Sequence, residues 1–237
     1  DAAHRGAEAS GGAMKLELAR SAGFCYGVRR AVEMAEQAAR SGCRCVMLGP
    51  VIHNGSVIER LKAQGVALAE TPEQVPEGAA VIIRSHGEGR PVHQALAARG
   101  CRVIDATCPN VARIHHLVAR AEAEGRQVLI IGMRAHPEVQ AIAGWCGHPV
   151  VLEGAQELEQ WLQEGPERKS LPLTMVSQTT STQMIWDLSV EKAKKQCTNL
   201  KIFDTICNAT YKRQSEAQAL AARCGAMIVI GGRDSSN

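Results

Sequence analysis

Short apolar runs rich in Val, Ile and Leu alternate with alanine-rich stretches along this chain, and this alternation constrains its fold more than any other feature. The segments between the runs, such as 28–39, 110–124 and 209–223, place apolar residues at helical spacing beside Arg, Glu and Gln. Regular alternation of strand and helix predicts an α/β fold with mostly parallel sheets. The predicted strands are 46–48, 80–84, 102–104, 128–131, 149–152, 173–177, 200–203 and 227–230.

Composition narrows the class of protein. The chain has 237 residues and is 45% hydrophobic but only 3% aromatic, so aliphatic side chains must build one large core or two to three small ones. A net charge of +3 is too mild to predict a nucleic-acid surface, and no segment reads as a membrane span. Residues 1–13 have no apolar signal-peptide core, which predicts a disordered leader and a cytoplasmic protein.

An internal echo predicts repeated lobes. RVIDATCPN at 102–110 and KIFDTICNA at 201–209 share a strand, an Asp, two further residues, a Cys and the start of a helix. SAGFCYGVRRAV also places Cys25 just before a helix. We therefore expect three α/β lobes, at 14–107, 108–199 and 200–237, packed around a shared centre.

The position of each cysteine relative to the predicted strands divides the nine into two groups. Six lie shortly before a strand, at the end of the sheet away from the usual ligand site. These are Cys43, Cys45, Cys101, Cys146, Cys197 and Cys224. The other three, Cys25, Cys108 and Cys207, stand at helix N-termini, where the helix dipole favours the thiolate that binds metal. A zinc site is one reading, but without a CxxC pair three separated thiolates fit an iron–sulfur cluster with one open iron better.

Polar side chains also follow the predicted strands. They supply imidazoles, hydroxyls and an amide, a set suited to binding a phosphate or diphosphate. Glu138 shares this rim, and a carboxyl buried beside a bound anion should have a raised pKa and deliver a proton. Asp105 and Asp204 are expected to cap helices or fix the cysteine turns. The rim residues are His53, Ser85, His86, His136, Glu138, Thr179, Thr180, Ser235, Ser236 and Asn237, whereas His93, His115, His116 and His148 fall outside it.

Eight strings occur in an order that closely resembles the 4-hydroxy-3-methylbut-2-enyl diphosphate reductase, or LytB, family of the non-mevalonate isoprenoid pathway. They are GFCYGVRRAV, GPVIHN, RSHG, DATCP, HPEV, SQTTS, DTIC and SSN, and the resemblance runs from about Met14 to Asn237. It implies a three-lobed cloverleaf around a central [4Fe-4S] cluster bound by Cys25, Cys108 and Cys207.

The resemblance also implies a reaction: reductive dehydroxylation of the family's substrate to isopentenyl and dimethylallyl diphosphate, with electrons from an external donor such as ferredoxin or flavodoxin. Glu138 matches the proton donor, and Thr179 or Thr180 matches a threonine beside the substrate hydroxyl. The diphosphate would be held by His53, His86, His136, Ser235, Ser236 and Asn237.

One departure from the family concerns the C-terminus. The family continues for some tens of residues beyond SSN, so we expect this chain to be C-terminally incomplete, with an unfinished third sheet and weakened stability and substrate affinity. A different class of function is a binding protein that senses a diphosphate metabolite beside a structural cluster or zinc. Glu138 separates the two, because sensing needs no proton donor there.

Overall fold

Two four-stranded sheets form the framework of the computed structural model, which describes residues 15–232 and Ser235. The first sheet contains β1 (Cys45–Leu48), β2 (Ala67–Ala69), β3 (Ala80–Ile83) and β4 (Arg102–Asp105), in the order β2-β1-β3-β4. The second contains β5 (Gln127–Ile131), β6 (Val150–Leu152), β7 (Pro172–Ser177) and β8 (Asn199–Ile202), in the order β6-β5-β7-β8. All neighbouring strands are parallel, which confirms the predicted class.

Helices connect these strands and cover the sheets. Two short 3-10 turns, Pro72–Gln74 and Pro166–Ser170, lie among the connections. None of the helices in the described part of the chain has both the length and the apolar character needed to cross a membrane. The helices are α1 (Tyr26–Arg40), α2 (Gly55–Ala63), α3 (Arg90–Ala98), α4 (Pro109–Ala123), α5 (Pro137–Ala143), α6 (Ala155–Glu164), α7 (Gln183–Gln196) and α8 (Asn208–Ala221).

The central strands β1, β3, β5 and β7 are buried on both faces, which explains why they are largely apolar runs. In the first sheet, Met47 and Ile82 pack on α1 and α2, whereas the alternate residues Val81 and Ile83 pack with Leu96 of α3. The second sheet repeats this plan, with α6 and α7 on one face and α4 and α5 on the other. The cores therefore hold both sheets rigidly at their centres.

The two sheets share one topology, and this locates the expected ligand site. In each sheet, the second strand in the chain pairs with one edge of the first strand. The third strand pairs with the opposite edge of the first strand, and the fourth pairs with the third. The connections that leave the carboxyl ends of β1 and β3 therefore run in opposite directions across the first sheet, and those that leave β5 and β7 do so in the second. Ligands of open parallel sheets bind beyond the carboxyl ends of such strands.

Two predicted strands are placed differently by the structure. The 200–203 run, assigned to a third lobe, forms β8 and pairs with β7 at the edge of the second sheet. The 227–230 run is not a strand, and Ile228 and Ile230 are 84% and 94% exposed. An apolar run becomes a strand only when another strand offers hydrogen-bonding groups, and no described strand lies beside this run. β2, which contains no β-branched residue, is a strand because β1 pairs with it.

Candidate functional site

The strands on either side of each divergence deliver the predicted polar residues. His53 follows β1 and His86 follows β3, whereas His136 follows β5 and Thr179 follows β7. The predicted rim residues from His53 to Thr180 therefore follow the four strands at which the two sheets open, whereas the predicted residues from Ser235 onward follow the 227–230 run, which is not a strand. The fourth strand of each sheet, β4 or β8, leads instead to a cysteine.

Three histidines from these strand ends form one cluster across the two sheets. The ring centroids of His53 and His86 are 4.6 Å apart, those of His86 and His136 are 5.5 Å apart, and those of His53 and His136 are 6.3 Å apart. One ligand nitrogen from each lies within 4.8 Å of the other two, a spacing that could also hold a divalent metal. The sequence prediction that the three histidines share a site is thus met geometrically.

Burial keeps two members of the histidine cluster, His86 and His136, uncharged at neutral pH. It lowers the pKa of His86 to about 3, with a further contribution from His53, His136 and Arg84. It also lowers the pKa of His136 to about 4, helped by His53 and Arg84. The buried Nδ1 of His86 has no hydrogen-bond partner among the described residues. His86 and His136 lie near the Arg84 guanidinium. An anion bound beside these histidines would favour their imidazolium forms, so the cluster is suited to binding an anion.

Arg84 and Glu88 flank this cluster and were not singled out as a pair from the sequence. Arg84 Nη2 lies 2.7 Å from Glu88 Oε1, and the two side chains are only 20% and 12% exposed. Burial raises the pKa of Glu88, although Arg84 opposes the rise. A Cβ on Gly49, in the loop after β1, would lie 3.1 Å from Arg84 Nη1. The position of Arg84 two residues before His86 was the available signal.

Glu138 and Thr179 form a buried pair at the end of the second sheet. Glu138 is 2% exposed and lies in the first turn of α5. Its Oε1 accepts a hydrogen bond from Thr179 N and its Oε2 accepts one from Thr179 Oγ1, both at 2.6 Å. Burial raises the pKa of Glu138, whereas the Thr179 hydrogen bonds oppose the rise. The carboxyl can therefore retain a proton that an exposed glutamate would lose.

The two threonines that the sequence left unresolved have different partners. Thr180 Oγ1 accepts a hydrogen bond from Gln178 Nε2 at 2.7 Å, and Gln178 Oε1 accepts one from Met133 N. A Cβ on Gly132 would lie 2.7 Å from Gln178 Cβ, so glycine is needed for this close packing. Gln178 is a further site residue that the sequence analysis missed, and its only signal was its place in SQTTS.

The three selected cysteines occupy equivalent positions, since each is the N-cap residue of its helix. Cys25 begins α1, Cys108 begins α4 and Cys207 begins α8. The echo between the second and third is structural, because Asp105 and Asp204 each accept a hydrogen bond from the backbone N–H two residues later, at 2.9 and 3.1 Å. The expectation that these aspartates fix the cysteine turns is confirmed.

Contacts between the helix N-termini bring the three thiols to one place. A Cβ on Gly27 of α1 would lie 2.5 Å from Cys108 Sγ, and Asn110 Nδ2 of α4 donates to Cys207 Sγ at 3.2 Å. Burial raises the pKa of Cys108, and the Cys25 and Cys207 thiols add to the rise. Three thiols that affect one another in this way suit a shared multinuclear centre.

The separation of the thiols bears on the zinc alternative. Tetrahedral zinc with Zn–S distances of about 2.3 Å needs sulfurs roughly 3.8 Å apart. Among the described residues, the histidine cluster is the only group of three potential ligand side chains with ligand atoms all within 4.8 Å of one another. The three cysteines are not such a group, and three separated thiols are the ligand set that suits a multinuclear iron–sulfur cluster.

Backbone hydrogen bonds join the cysteines to the polar rim. Cys207 N donates to Thr179 O at 2.9 Å, and Cys108 N donates to Ser85 O, also at 2.9 Å. Thr179 in turn contacts Glu138, whose N–H donates to His136 Nδ1 at 3.1 Å. Thiols, acid and histidines therefore belong to one composite site.

The C-terminal residues reach this site from the histidine side. A Cβ on Gly232 would collide with the backbone oxygen of His53, and Ser235 N donates to Gly232 O at 3.1 Å. Ser235 therefore lies beside Gly232, which itself contacts the His53 backbone; its predicted role in binding substrate stays a prediction. Ser236 and Asn237 lie outside the described residues.

The fold and site together define an α/β protein with paired parallel sheets and one composite cysteine, histidine and glutamate centre. The sequence model of the LytB protein family matches residues 16–237. The chain therefore belongs to the LytB family.

Relatives and solved structures extend this assignment. A protein of Caldanaerobacter subterraneus subsp. tengcongensis called 4-hydroxy-3-methylbut-2-enyl diphosphate reductase is 37% identical over 232 residues, covering 94% of this chain and 77% of that protein. The protein of that name from Aquifex aeolicus is 38% identical over 225 residues, covering 93% and 75%.

Among solved structures, one described as (E)-4-hydroxy-3-methyl-but-2-enyl diphosphate reductase, the terminal enzyme of the non-mevalonate pathway, matches with a TM-score of 0.73 and 37% identity, over 92% of this chain and 76% of that one. The Plasmodium falciparum reductase matches with a TM-score of 0.80 and 28% identity, over 91% and 68%.

Proposed function

We propose that this protein is an oxidoreductase that converts 4-hydroxy-3-methylbut-2-enyl diphosphate to isopentenyl diphosphate and dimethylallyl diphosphate, the last step of the non-mevalonate pathway. The named relatives and solved structures support this reaction. The observation within the molecule that carries it is the buried Glu138–Thr179 pair, which links the cysteine turn to the histidine cluster. Overall, two electrons and two protons replace the substrate hydroxyl by hydrogen and release water.

The histidine cluster binds the diphosphate end of the substrate. His86 and His136 are neutral in the free protein and become better donors as the anion raises their pKa values, and His53 lies beside them. Arg84 supplies a fixed positive charge beside them. Ser235, Ser236 and Asn237 complete the donors by resemblance to the family. Anchoring the unreactive end orients the hydroxyl toward Glu138 and the cysteines.

Glu138 holds the proton and Thr179 transmits it. When protonated at Oε2, Glu138 donates to Thr179 Oγ1, whose own hydrogen can then turn toward the substrate hydroxyl. Thr179 is better placed for this than Thr180, whose hydroxyl oxygen accepts from Gln178. Burial raises the pKa of the Glu138 carboxyl, which favours the protonated form that this transfer needs.

Cys25, Cys108 and Cys207 would hold the [4Fe-4S] cluster. Each stands at a helix N-terminus, and Asn110 adds a hydrogen bond to the Cys207 sulfur. At Cys108 the backbone N–H groups of Asn110 and Val111 oppose the rise in pKa that burial causes. When bound, the cluster supplies the electrons and a Lewis-acidic iron with an open position. An external donor such as ferredoxin or flavodoxin renews the electrons.

The test combines cluster analysis with one substitution. Protein purified without oxygen should contain iron and sulfide and should convert the diphosphate substrate. Glu138→Gln can still accept from Thr179 N and can donate to Thr179 Oγ1, so iron content and substrate binding should persist while turnover falls by about 100-fold or more. Glu77→Gln, at an exposed turn before β3, is the matched control and should behave as wild type.

Two results would contradict the proposal. Stoichiometric zinc in a colourless protein would refute the cluster, and undiminished turnover in Glu138→Gln would refute the acid. Tight binding of the diphosphate without any turnover by the wild type would instead favour a sensor.

A further inference from the structure

A contact between the two sheets lies behind the histidine cluster and involves none of the proposed ligands. Trp145 follows the C-terminal end of α5, and its indole Nε1 donates to Glu88 O at 3.0 Å. The backbones of Gly89 and Gly144 touch here, because a Cβ on Gly144 would lie 2.7 Å from Gly89 Cα. Arg90 N donates to Gly144 O at 3.0 Å. The second sheet's helix is thereby fastened to the loop after β3.

His115 of α4 contacts the same loop and is only 4% exposed. Its ring stacks on Trp145, with centroids 5.2 Å apart and planes 18° apart. Gly87 has a φ of +76°, and a Cβ there would lie 2.6 Å from His115 Cε1. The His115 imidazole therefore packs directly against the turn that contains His86. The sequence analysis set His115 aside because it lies within a helix.

The fastened loop also reaches the other members of the histidine cluster. The Glu88 carbonyl accepts from Trp145, and the Glu88 carboxylate pairs with Arg84 at 2.7 Å. Arg84 packs against Gly49 in the loop that leads to His53. At the other end of α5, the helix fastened by Trp145 begins with His136 and Glu138. Movement of Trp145 would therefore alter how the two sheets present their histidines to each other.

We propose that Trp145 and His115 are positioning residues that set the placement of His86 relative to His136, and thereby the affinity of the site for a diphosphate. This inference rests on the proposed function, in which the histidine cluster binds that group. Neither side chain is assigned a contact with substrate. Both act through the 86–89 turn, which glycines at 87 and 89 allow to lie close to them.

Trp145→Phe is the primary test, because it keeps an aromatic ring on His115 and removes the hydrogen bond to Glu88. Loss of one such bond should raise the KM for the diphosphate substrate and the inhibition constant of inorganic pyrophosphate by about three- to tenfold, with kcat within about twofold of wild type. Iron and sulfide content should not change. Gly144→Ala disturbs the same contact through the backbone and should shift both constants in the same direction.

Trp161→Phe is the matched control. Arg90 lies over Trp145, 5.7 Å from its ring, and donates to its backbone carbonyl. Trp161 has the same two contacts with Arg168, which lies 4.9 Å from its ring. It packs in the core between α6, α7 and the second sheet, so this variant should alter thermal stability without altering KM or pyrophosphate inhibition.

The measurements distinguish failure of the positioning role from failure of the proposed function. Unchanged KM and pyrophosphate inhibition in folded Trp145→Phe, equal shifts in Trp161→Phe, or unfolding of both Trp145→Phe and Gly144→Ala would overturn the inference. If the wild type does not convert the substrate but binds pyrophosphate more tightly than Trp145→Phe does, the proposed function fails and the positioning role stands. Absence of pyrophosphate binding by the wild type would overturn both.

Discussion

Gly27 offers the sharpest test of the cysteine centre, since it is the point at which one helix N-terminus touches another cysteine. In Gly27→Ala the new Cβ would lie 2.5 Å from Cys108 Sγ and 3.2 Å from Cys108 Cβ. Restoring an ordinary contact of about 3.5 Å requires the sulfur to move by about 1 Å. A cysteine can achieve this by changing its side-chain rotamer, which turns the sulfur away from its present direction.

The energetic balance predicts a folded protein with a damaged metal centre. Crowding of this kind costs about 1–3 kcal/mol, whereas replacing a helical glycine by alanine gains up to about 1 kcal/mol. The net loss of about 0–3 kcal/mol leaves a folded chain. We therefore expect iron and sulfide content to fall at least about twofold, because a ligand displaced by about 1 Å is outside the tolerance of a metal site.

Gly55→Ala is the matched control for this substitution. Gly55 is the first residue of α2, and a Cβ there would meet nothing within 4 Å. Iron, sulfide and the visible absorption of the cluster should be measured for both variants after anaerobic purification, with thermal unfolding measured in parallel. Full cluster content in folded Gly27→Ala would refute the assignment of Cys108 as a ligand at this position.

Two further predictions concern the charge and hydrogen bonding of the site. Asn110→Ala removes the hydrogen bond to Cys207 Sγ and should lower the reduction potential of the cluster. If the bond is worth ~1 kcal/mol more in the reduced state, the potential should fall by about 40 mV in a redox titration. An unchanged potential would exclude the bond. The pKa of His86 is lowered to about 3 in the folded protein, from an unfolded value near 6.5. Between these two values the unfolded chain takes up a proton that the folded protein does not. The free energy of unfolding therefore falls by up to about 1.4 kcal/mol per pH unit as the pH falls from about 6.5 toward 3. Unfolding from pH 7.5 to 5 should show this slope, and it should be shallower in His86→Gln; equal slopes would show that His86 does not titrate in this way.

Local sequence patterns predicted seven of the eight strands and the positions of the three cysteines at helix N-termini, but they missed β2 and wrongly predicted a strand at 227–230. A strand followed by Asp, two residues and Cys predicts a turn in which the aspartate receives a nearby N–H, and both copies form that turn. The pairing of strands is different, because it depends on residues distant in the chain. The 200–203 run was assigned to a third lobe, yet its backbone groups are satisfied by β7.

Nonlocal packing also explains the site residues that the sequence analysis missed. Helical spacing correctly placed His115 within α4, but the stacking on Trp145 and the contact with Gly87 join residues of separate elements. Arg84 and Glu88 are four residues apart, and only their burial beside the histidines distinguishes them from an exposed pair. No local pattern reports such burial.

The sequence by itself determined which residues stand after strands and at helix N-termini, because these positions follow from local chain geometry and parallel strands end at a common edge. It therefore predicted that the three cysteines, the three histidines and Glu138 lie near one another, and the structure brings them together. Only the tertiary structure decided that Thr179 rather than Thr180 contacts Glu138, and that Trp145 fastens one sheet to the other. The physical reason is that these contacts join side chains and backbones brought together from separate sheets or separate strands, and sequence spacing does not specify them.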